Sequence, residues 1–65
     1  MKKEINKIVN KYGVNCLSAI RNIQGGVDIK LDQNIYYKEQ ERMEEEIKNT
    51  LFLTPINDIS YRDIA

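Results

Sequence analysis

The chain has 65 residues, of which 42% are hydrophobic and 31% charged, and its formal net charge is zero. A chain this short buries only about 60% of its unfolded surface, which predicts one domain with a thin core. The composition excludes an intrinsically disordered chain. One cysteine and no histidine exclude an intrachain disulfide and an ordinary zinc site.

The first residues carry no sign of a targeting segment. Lys2, Lys3 and Glu4 follow Met1, with no apolar stretch of about 7 to 15 residues behind them. Nothing in the sequence is long and apolar enough to span a bilayer. We therefore expect a cytoplasmic protein with no membrane partner, and the lone Cys16 is consistent with a reducing compartment.

The first predicted element is a helix that ends at Gly13. Ile5, Ile8, Val9 and Tyr12 recur at helical spacing and lie on one face. Gly13 then stands where a left-handed C-cap is expected.

A second helix is predicted directly after it. Asn15 is a suitable N-cap, and Leu17 (or Cys16), Ile20 and Ile23 recur at helical spacing before Gly25 and Gly26. About two residues separate the two helices, so their connection is sharp, as in a helix-turn-helix.

A β-hairpin is predicted next. Val27, Ile29 and Leu31 alternate with Asp28 and Lys30, which indicates a strand with one buried face. The polar residues 32–34 form a turn, and residues 35–37 return as a second strand. An alternative starts the next helix at Asn34, with an inner face of Tyr36, Gln40, Met43, Ile47 and Leu51.

In both assignments residues of about 40–51 are helical, because Met43, Ile47 and Leu51 are spaced by four. Thr54 and Pro55 resemble an N-cap and a first-turn proline, which predicts a short last helix with Ile56, Ile59 and Ile64 on its apolar side. The predicted fold is α+β and mostly helical, with a helix-turn-helix, a two-stranded wing and a third helix. Residues 1–53 form its domain, and residues 54–65 form a tail or a short docking helix.

The segment Lys7–Gly26, KIVNKYGVNCLSAIRNIQGG, resembles the helix-turn-helix of small phage regulators. Gly13, Val14, Ser18, Ala19 and Ile20 match the Cro-type repressor pattern in kind and order, with one residue inserted before Ser18. The predicted hairpin and charged helix follow in the order seen in winged-helix excisionases. The resemblance implies a DNA-binding regulator or excisionase that reads double-stranded DNA with its second helix, as a homodimer or with a larger protein partner.

That resemblance assigns a set of polar residues to DNA. Arg21 would read guanine, the other residues of the second helix would reach base edges or phosphates, and the wing would touch the next phosphates. The set is Lys7, Lys11, Asn15, Ser18, Arg21, Asn22, Gln24, Lys30, Gln33 and Asn34. Each of these residues is also an ordinary exposed side chain when taken singly.

The distribution of charge supports a second hypothesis. Residues 1–30 carry six cations against two carboxylates, and residues 31–65 carry four cations against eight. An inhibitor or antirepressor could present the acidic third helix as a mimic of DNA charge, or as a docking face, to a protein partner. Its binding residues would be Tyr36, Tyr37, Glu41, Glu44 and Glu45.

Enzyme chemistry has little support in the sequence. There is no histidine, no Gly-rich phosphate loop, and no serine with a candidate base nearby. A run of glutamates on one helix is typical of a solvated surface. We expect no catalytic residue, no metal, no cofactor and no small-molecule substrate, and we expect Cys16 to be a core residue.

Overall fold

The structure, a computed structural model, describes residues 1–62. This part of the chain forms two helices and a three-stranded mixed sheet. The elements, in chain order, are α1 (Lys2–Asn10), β1 (Cys16–Arg21), β2 (Val27–Leu31), α2 (Tyr37–Thr50) and β3 (Ile56–Tyr61).

The strand β2 is the centre of the sheet, and the strand order is β1-β2-β3. β1 pairs with β2 in antiparallel fashion, and β2 pairs with β3 in parallel. The parallel pair is connected through α2, as a parallel connection requires a crossover. β1 and β3 are therefore the edges of the sheet within residues 1–62.

The core lies between the sheet and the two helices. Val27, Ile29 and Leu31 on β2 are at most 1% exposed and alternate with Asp28 and Lys30, as the period of two predicts. The helices contribute apolar residues at helical spacing to the same cluster. These are Ile5, Ile8 and Val9 from α1 and Met43, Ile47 and Leu51 from α2 and its end.

The end of α1 confirms the prediction at Gly13. This glycine has a φ of +78°, and the N–H of Val14 donates to the carbonyl of Val9 at 3.1 Å. The N–H of Gly13 donates to the carbonyl of Asn10, also at 3.1 Å, which completes a Schellman motif. Val9 and Val14 are both fully buried, so the motif also turns the chain into the core.

The predicted second helix is wrong, and with it the helix-turn-helix. Residues 16–21 form β1, because their backbone pairs with β2. Asn15 does not cap a helix: its backbone N–H donates to Oδ1 of Asp32 at 2.9 Å. Ile20 is 63% exposed and Ile23 fully exposed, whereas the predicted helix had both on its inner face.

The wing hairpin is also wrong in its pairing. β2 is a strand with the predicted bounds, but its antiparallel partner precedes it as β1. Residues 35–37 form no strand, and α2 begins at Tyr37. The alternative of an earlier helix is closer to the structure, and its inner residues Met43, Ile47 and Leu51 are buried. Tyr36 was assigned to the same inner face and is 68% exposed.

The predicted last helix is replaced by a strand. Residues 56–61 form β3, and Pro55 precedes the strand. The carbonyl of Pro55 accepts a hydrogen bond from the N–H of Val27 at 3.0 Å. A proline is as compatible with the start of a strand as with the first turn of a helix. Ile64, also assigned to this helix, lies outside the described residues.

Candidate functional site: an apolar end of the sheet

One end of the sheet carries four exposed apolar side chains. Ile20 lies near the end of β1, Ile23 lies in the β1–β2 hairpin, and Phe52 and Leu53 lie in the loop between α2 and β3. We call these four residues the apolar end. The exposed fractions are 63% for Ile20, 103% for Ile23, 78% for Phe52 and 84% for Leu53.

Backbone contacts hold the β1–β2 hairpin and the loop before β3 at the same end of the sheet. β2 and β3 are parallel and begin together, with Val27 paired to Ile56. The N–H of Val27 donates to the carbonyl of Pro55 at 3.0 Å. A Cβ added to Gly26 would lie 2.9 Å from the Cβ of Asn57, so the two loops approach more closely there than side chains normally allow.

Polar bonds within the hairpin fix its shape. The N–H of Gln24 donates to Oδ1 of Asn22 at 2.7 Å, and the N–H of Asn22 donates to the carbonyl of Gly26, also at 2.7 Å. Gly25 has a φ of +99°, a conformation that glycine adopts without strain. Asn57 donates to Asp28 at 2.8 Å and connects β3 to the same region. Ile23 is thus presented on an ordered turn.

Charges of both signs lie around the apolar end. Residues 19–27 and 47–57 build this end, and they contain Arg21 and Lys48 but no aspartate or glutamate. Arg21 is the exposed last residue of β1, and Lys48 lies in the last turn of α2. Asp28 follows Val27 on β2, lies opposite Ile20 and accepts from Asn57, so this end carries two cations and one carboxylate.

The residues predicted to bind DNA lie on different parts of the molecule. Lys7 is exposed on α1, which packs on the helical side of the sheet. Ser18 and Lys30 pair across β1 and β2 on the side of the sheet that no helix of residues 1–62 covers, which we call the open face. Arg21, Asn22 and Gln24 lie on the hairpin, and Asn34 is in the loop before α2.

Three other members of that set make bonds within the fold. Nζ of Lys11 is 2.6 Å from Oε1 of Glu46. Asn15 donates to Asp32 from its backbone and from its side chain. Nε2 of Gln33 donates to the carbonyl of Gly13 at 2.7 Å. These residues connect neighbouring segments, and the set as a whole forms no continuous basic surface.

The glutamates of α2 have two kinds of surroundings. Two of its glutamates are engaged inside the molecule, since Glu46 accepts from Lys11 and Tyr12 and Glu44 accepts from the hydroxyl of Tyr61. The other carboxylates of α2 alternate with cations along its exposed surface. These charges are Glu39, Glu41 and Glu45 against Lys38, Arg42 and Lys48. The exposed surface of α2 thus carries charges of both signs.

The pKa values follow from these contacts. Hydrogen bonds from Lys11 and Tyr12 lower the pKa of Glu46, and the same carboxylate raises the pKa of both partners. Hydrogen bonds from Asn15 lower the pKa of Asp32. Burial, followed by the bond to Glu44, raises the pKa of Tyr61. Each shift is explained by an intramolecular contact of the fold.

Two further features are a buried thiol and a depression on α2. The thiol is 5% exposed, as expected for a core residue, and burial raises its pKa. A shallow depression lies along α2, and its lining residues all come from that one helix: Glu41, Arg42, Glu44, Glu45 and Lys48. Within residues 1–62 no cluster of side chains has the composition of a metal site.

Comparisons with known proteins assign no family. No family model matches the chain, and no curated protein and no solved structure matches it. The resemblance to Cro-type regulators and excisionases stays a prediction that these comparisons do not test. No helix within residues 1–62 is long and apolar enough to cross a membrane.

Sequence analysis missed the apolar end. The prediction places Ile20 and Ile23 on the inner face of a helix that is not formed, and it gives Phe52 and Leu53 no binding role. The absence of carboxylates from residues 19–27 and 47–57 was visible in the sequence. The composition of these two segments describes one surface only because the parallel pairing of β2 and β3 brings the segments together.

Proposed function

We propose that this chain is a protein-binding module that docks through its apolar end onto an apolar segment of a partner flanked by carboxylates. The observation that carries the proposal is the exposure of Ile20, Ile23, Phe52 and Leu53 at one end of the sheet, whereas Tyr36 and Tyr37 are exposed at the start of α2. The proposal keeps the protein-binding hypothesis and moves its surface from α2 to this end.

The grouping of exposed apolar residues at one end supports a binding role. Single exposed hydrophobic residues are common on protein surfaces, whereas grouped ones mark interaction sites. Burying one such side chain contributes about 1.5–3 kcal/mol. Phe52 is an aromatic anchor, and aromatic residues are enriched at the energetic centres of interfaces.

Two cations support the choice of partner. Arg21 and Lys48 flank the apolar end, whereas Asp28 lies on β2 opposite Ile20. Cations at the rim of an interface mainly affect the association rate and the choice of partner. A partner with aspartate or glutamate beside its apolar residues would complement these two cations, and one with lysine or arginine there would be repelled.

A selection from a displayed library of random peptides tests the proposal, with the wild-type chain as immobilised bait. We expect enriched peptides with two or more apolar anchors and flanking carboxylates. Their affinities are then measured by fluorescence anisotropy against the wild type and an Ile23→Ser/Phe52→Ser variant. Loss of two central anchors is expected to weaken binding at least a hundredfold, since each hot-spot residue contributes about 2 kcal/mol or more.

The matched control is the Tyr36→Ser/Tyr37→Ser variant, which removes two exposed aromatic residues at the start of α2, away from the apolar end. It should bind the selected peptides as the wild type does. No enrichment, or equal weakening in both variants, would contradict the proposal. A parallel titration with random-sequence duplex DNA tests the DNA-binding prediction: salt-sensitive binding that survives Ile23→Ser/Phe52→Ser would favour it instead.

A further inference from the structure

The outer edge of β3 is an unpaired strand edge. Within residues 1–62 no strand lies beyond β3. The N–H of Arg62 donates to the carbonyl of Leu31 on β2 at 2.8 Å. Peptide groups alternate in direction along a strand, so the N–H and C=O groups of Ser60 also point toward β2. Those of Ile59 and Tyr61 point to the outer edge.

This edge lacks the features that normally prevent strands from pairing between molecules. Such edges usually carry lysine or proline, or a bulge in the exposed stretch. β3 has no lysine, its proline precedes the strand, and its bulge lies at Asn57 near the start. Residues 58–62 are regular beyond the bulge. The other edge, β1, has a bulge between Cys16 and Ser18 and is flanked by α1.

We propose that a second copy of this chain pairs with this edge, β3 against β3 in antiparallel fashion, to give a six-stranded sheet across a two-fold axis at Ser60. In this register Ile59 lies opposite the partner's Tyr61, and the two residues exchange backbone hydrogen bonds. By symmetry this gives four bonds. Asp58 lies opposite the partner's Arg62, and Ser60 lies opposite its own copy.

The charges select this register. Asp58, Ser60 and Arg62 are all exposed, and among the described residues neither Asp58 nor Arg62 is in an ion pair. Residues that face each other in an antiparallel pair point to the same side of the sheet. A two-fold axis at Asp58 would place the Asp58 carboxylates of the two copies opposite each other. An axis at Ile59 would place Asp58 opposite Ser60 of the second copy. Only the axis at Ser60 opposes Asp58 to Arg62, twice per dimer.

The side chains of β3 on the helix-covered side of the sheet fit the same register. Ile59 and Tyr61 are half-buried against the core of their own chain. Pairing would place each Ile59 beside the partner's Tyr61, and pairs of an aromatic and a β-branched residue stabilise neighbouring strands. The interface would be separate from the apolar end, so this inference does not depend on the proposed function.

Sedimentation equilibrium of the wild-type chain from about 10 µM to about 1 mM, the range of weak dimers, tests the proposal. We expect a reversible dimer with twice the mass of one chain. Asp58→Arg and Arg62→Asp should each raise the dissociation constant about tenfold or more. Each substitution places two like charges opposite each other, two arginines or two aspartates, at both symmetric contacts of the dimer. The double variant Asp58→Arg/Arg62→Asp should restore the dimer. A wild type that stays monomeric at 1 mM would overturn the proposal.

Controls separate this interface from others. Glu45→Arg changes an exposed charge on α2 to the same extent and should leave the dimer unchanged, as should Ile23→Ser/Phe52→Ser. A dimer insensitive to Asp58→Arg and Arg62→Asp, or weakened by both and not restored by the double variant, would exclude this register. Circular dichroism checks that each variant is folded.

A cysteine variant gives a second, independent readout. Ser60 would form a non-hydrogen-bonded pair with its copy, where Cα atoms are about 4.5 Å apart, within the range that a disulfide spans. Ser60→Cys in a Cys16→Ser background should form a covalent dimer under mild oxidation. Lys30→Cys in the same background lies on β2, away from the edge, and should stay monomeric. Equal crosslinking of the two variants would contradict the register.

Discussion

Glu46 connects segments that are far apart in the sequence. Its carboxylate accepts from the ammonium of Lys11, 35 positions away, and from the hydroxyl of Tyr12, 34 positions away. Asp32 has a similar role, since it binds both the backbone and the side chain of Asn15. These carboxylates attach the segment after α1 to α2 and to the end of β2. Residues that looked free to bind a partner thus stabilise the fold.

The bond network at Glu46 predicts a pH dependence of stability. Its pKa in the folded state lies below the ordinary value of 4.5. The carboxylate therefore stabilises the fold above pH 4.5, and this contribution is lost as the pH falls through the lower, folded-state pKa. In urea unfolding, Glu46→Gln should lower the midpoint at pH 7 and have a smaller effect near pH 3.

Glu45→Gln is the matched control for this prediction. Glu45 is exposed on the same helix, and its substitution should leave the urea midpoint nearly unchanged at both pH values. Some acid sensitivity should remain in Glu46→Gln, because the pKa of Asp32 is lowered as well. An equal loss of stability at pH 7 and pH 3 would show that Glu46 does not act through its charge.

Two β-bulges place residues three apart on one side of the sheet, which explains why β3 was predicted as a helix. The helix predicted over β1 used Ile20 and Ile23, which are exposed. A bulge between Cys16 and Ser18 places Cys16 opposite Leu31 and Ala19 opposite Ile29. A second bulge at Asn57 places Ile56 opposite Val27 and Ile59 opposite Ile29. In each strand, residues three apart share the helical side of the sheet. A spacing of three is otherwise typical of a helix, because an unbroken strand has a period of two.

Elements without such irregularities were predictable. The period of two in Val27–Leu31 identified β2 with the correct bounds, and the spacing of Ile5, Ile8 and Val9 identified α1. The spacing by four of Met43, Ile47 and Leu51 identified α2. The pairing of the strands was not predictable, because it depends on contacts between residues far apart in the chain. The candidate site depends on that pairing and was missed for the same reason.

The turn after α1 gives a prediction at the scale of the element. Gly13 has a φ of +78°, and a Cβ added there would meet nothing within 4 Å. Gly13→Ala should therefore cost about 1–2 kcal/mol through its backbone conformation alone. Gly13→Asn should cost less, because asparagine tolerates the left-handed region better than alanine does. Chemical denaturation measures both values.

The test is which of the two variants, Gly13→Ala or Gly13→Asn, loses more free energy of unfolding. Equal losses for alanine and asparagine would indicate that a side chain at position 13 is excluded by its surroundings, in conflict with the open space around Gly13. No loss for alanine would indicate that the left-handed turn is not required for folding.

The whole molecule separates its surfaces by chemical character. The helices cover one side of the sheet, and the open face carries alternating polar residues such as Lys30 and Ser60. The exposed apolar residues Ile20, Ile23, Phe52 and Leu53 lie at the end where β2 and β3 begin. α2 balances its exposed charges. Within residues 1–62 the apolar end thus differs in composition from a solvated protein exterior.

The most direct test of docking through the apolar end is an NMR titration of the ¹⁵N-labelled chain with a peptide selected on it. We expect the amide signals of residues 20–26 and 50–54 to shift or broaden together as the peptide is added. The amides on the exposed side of α2, such as those of Glu41 and Glu45, should stay unchanged. Changes confined to α2 or to the open face, with residues 20–26 and 50–54 unaffected, would contradict the proposed function.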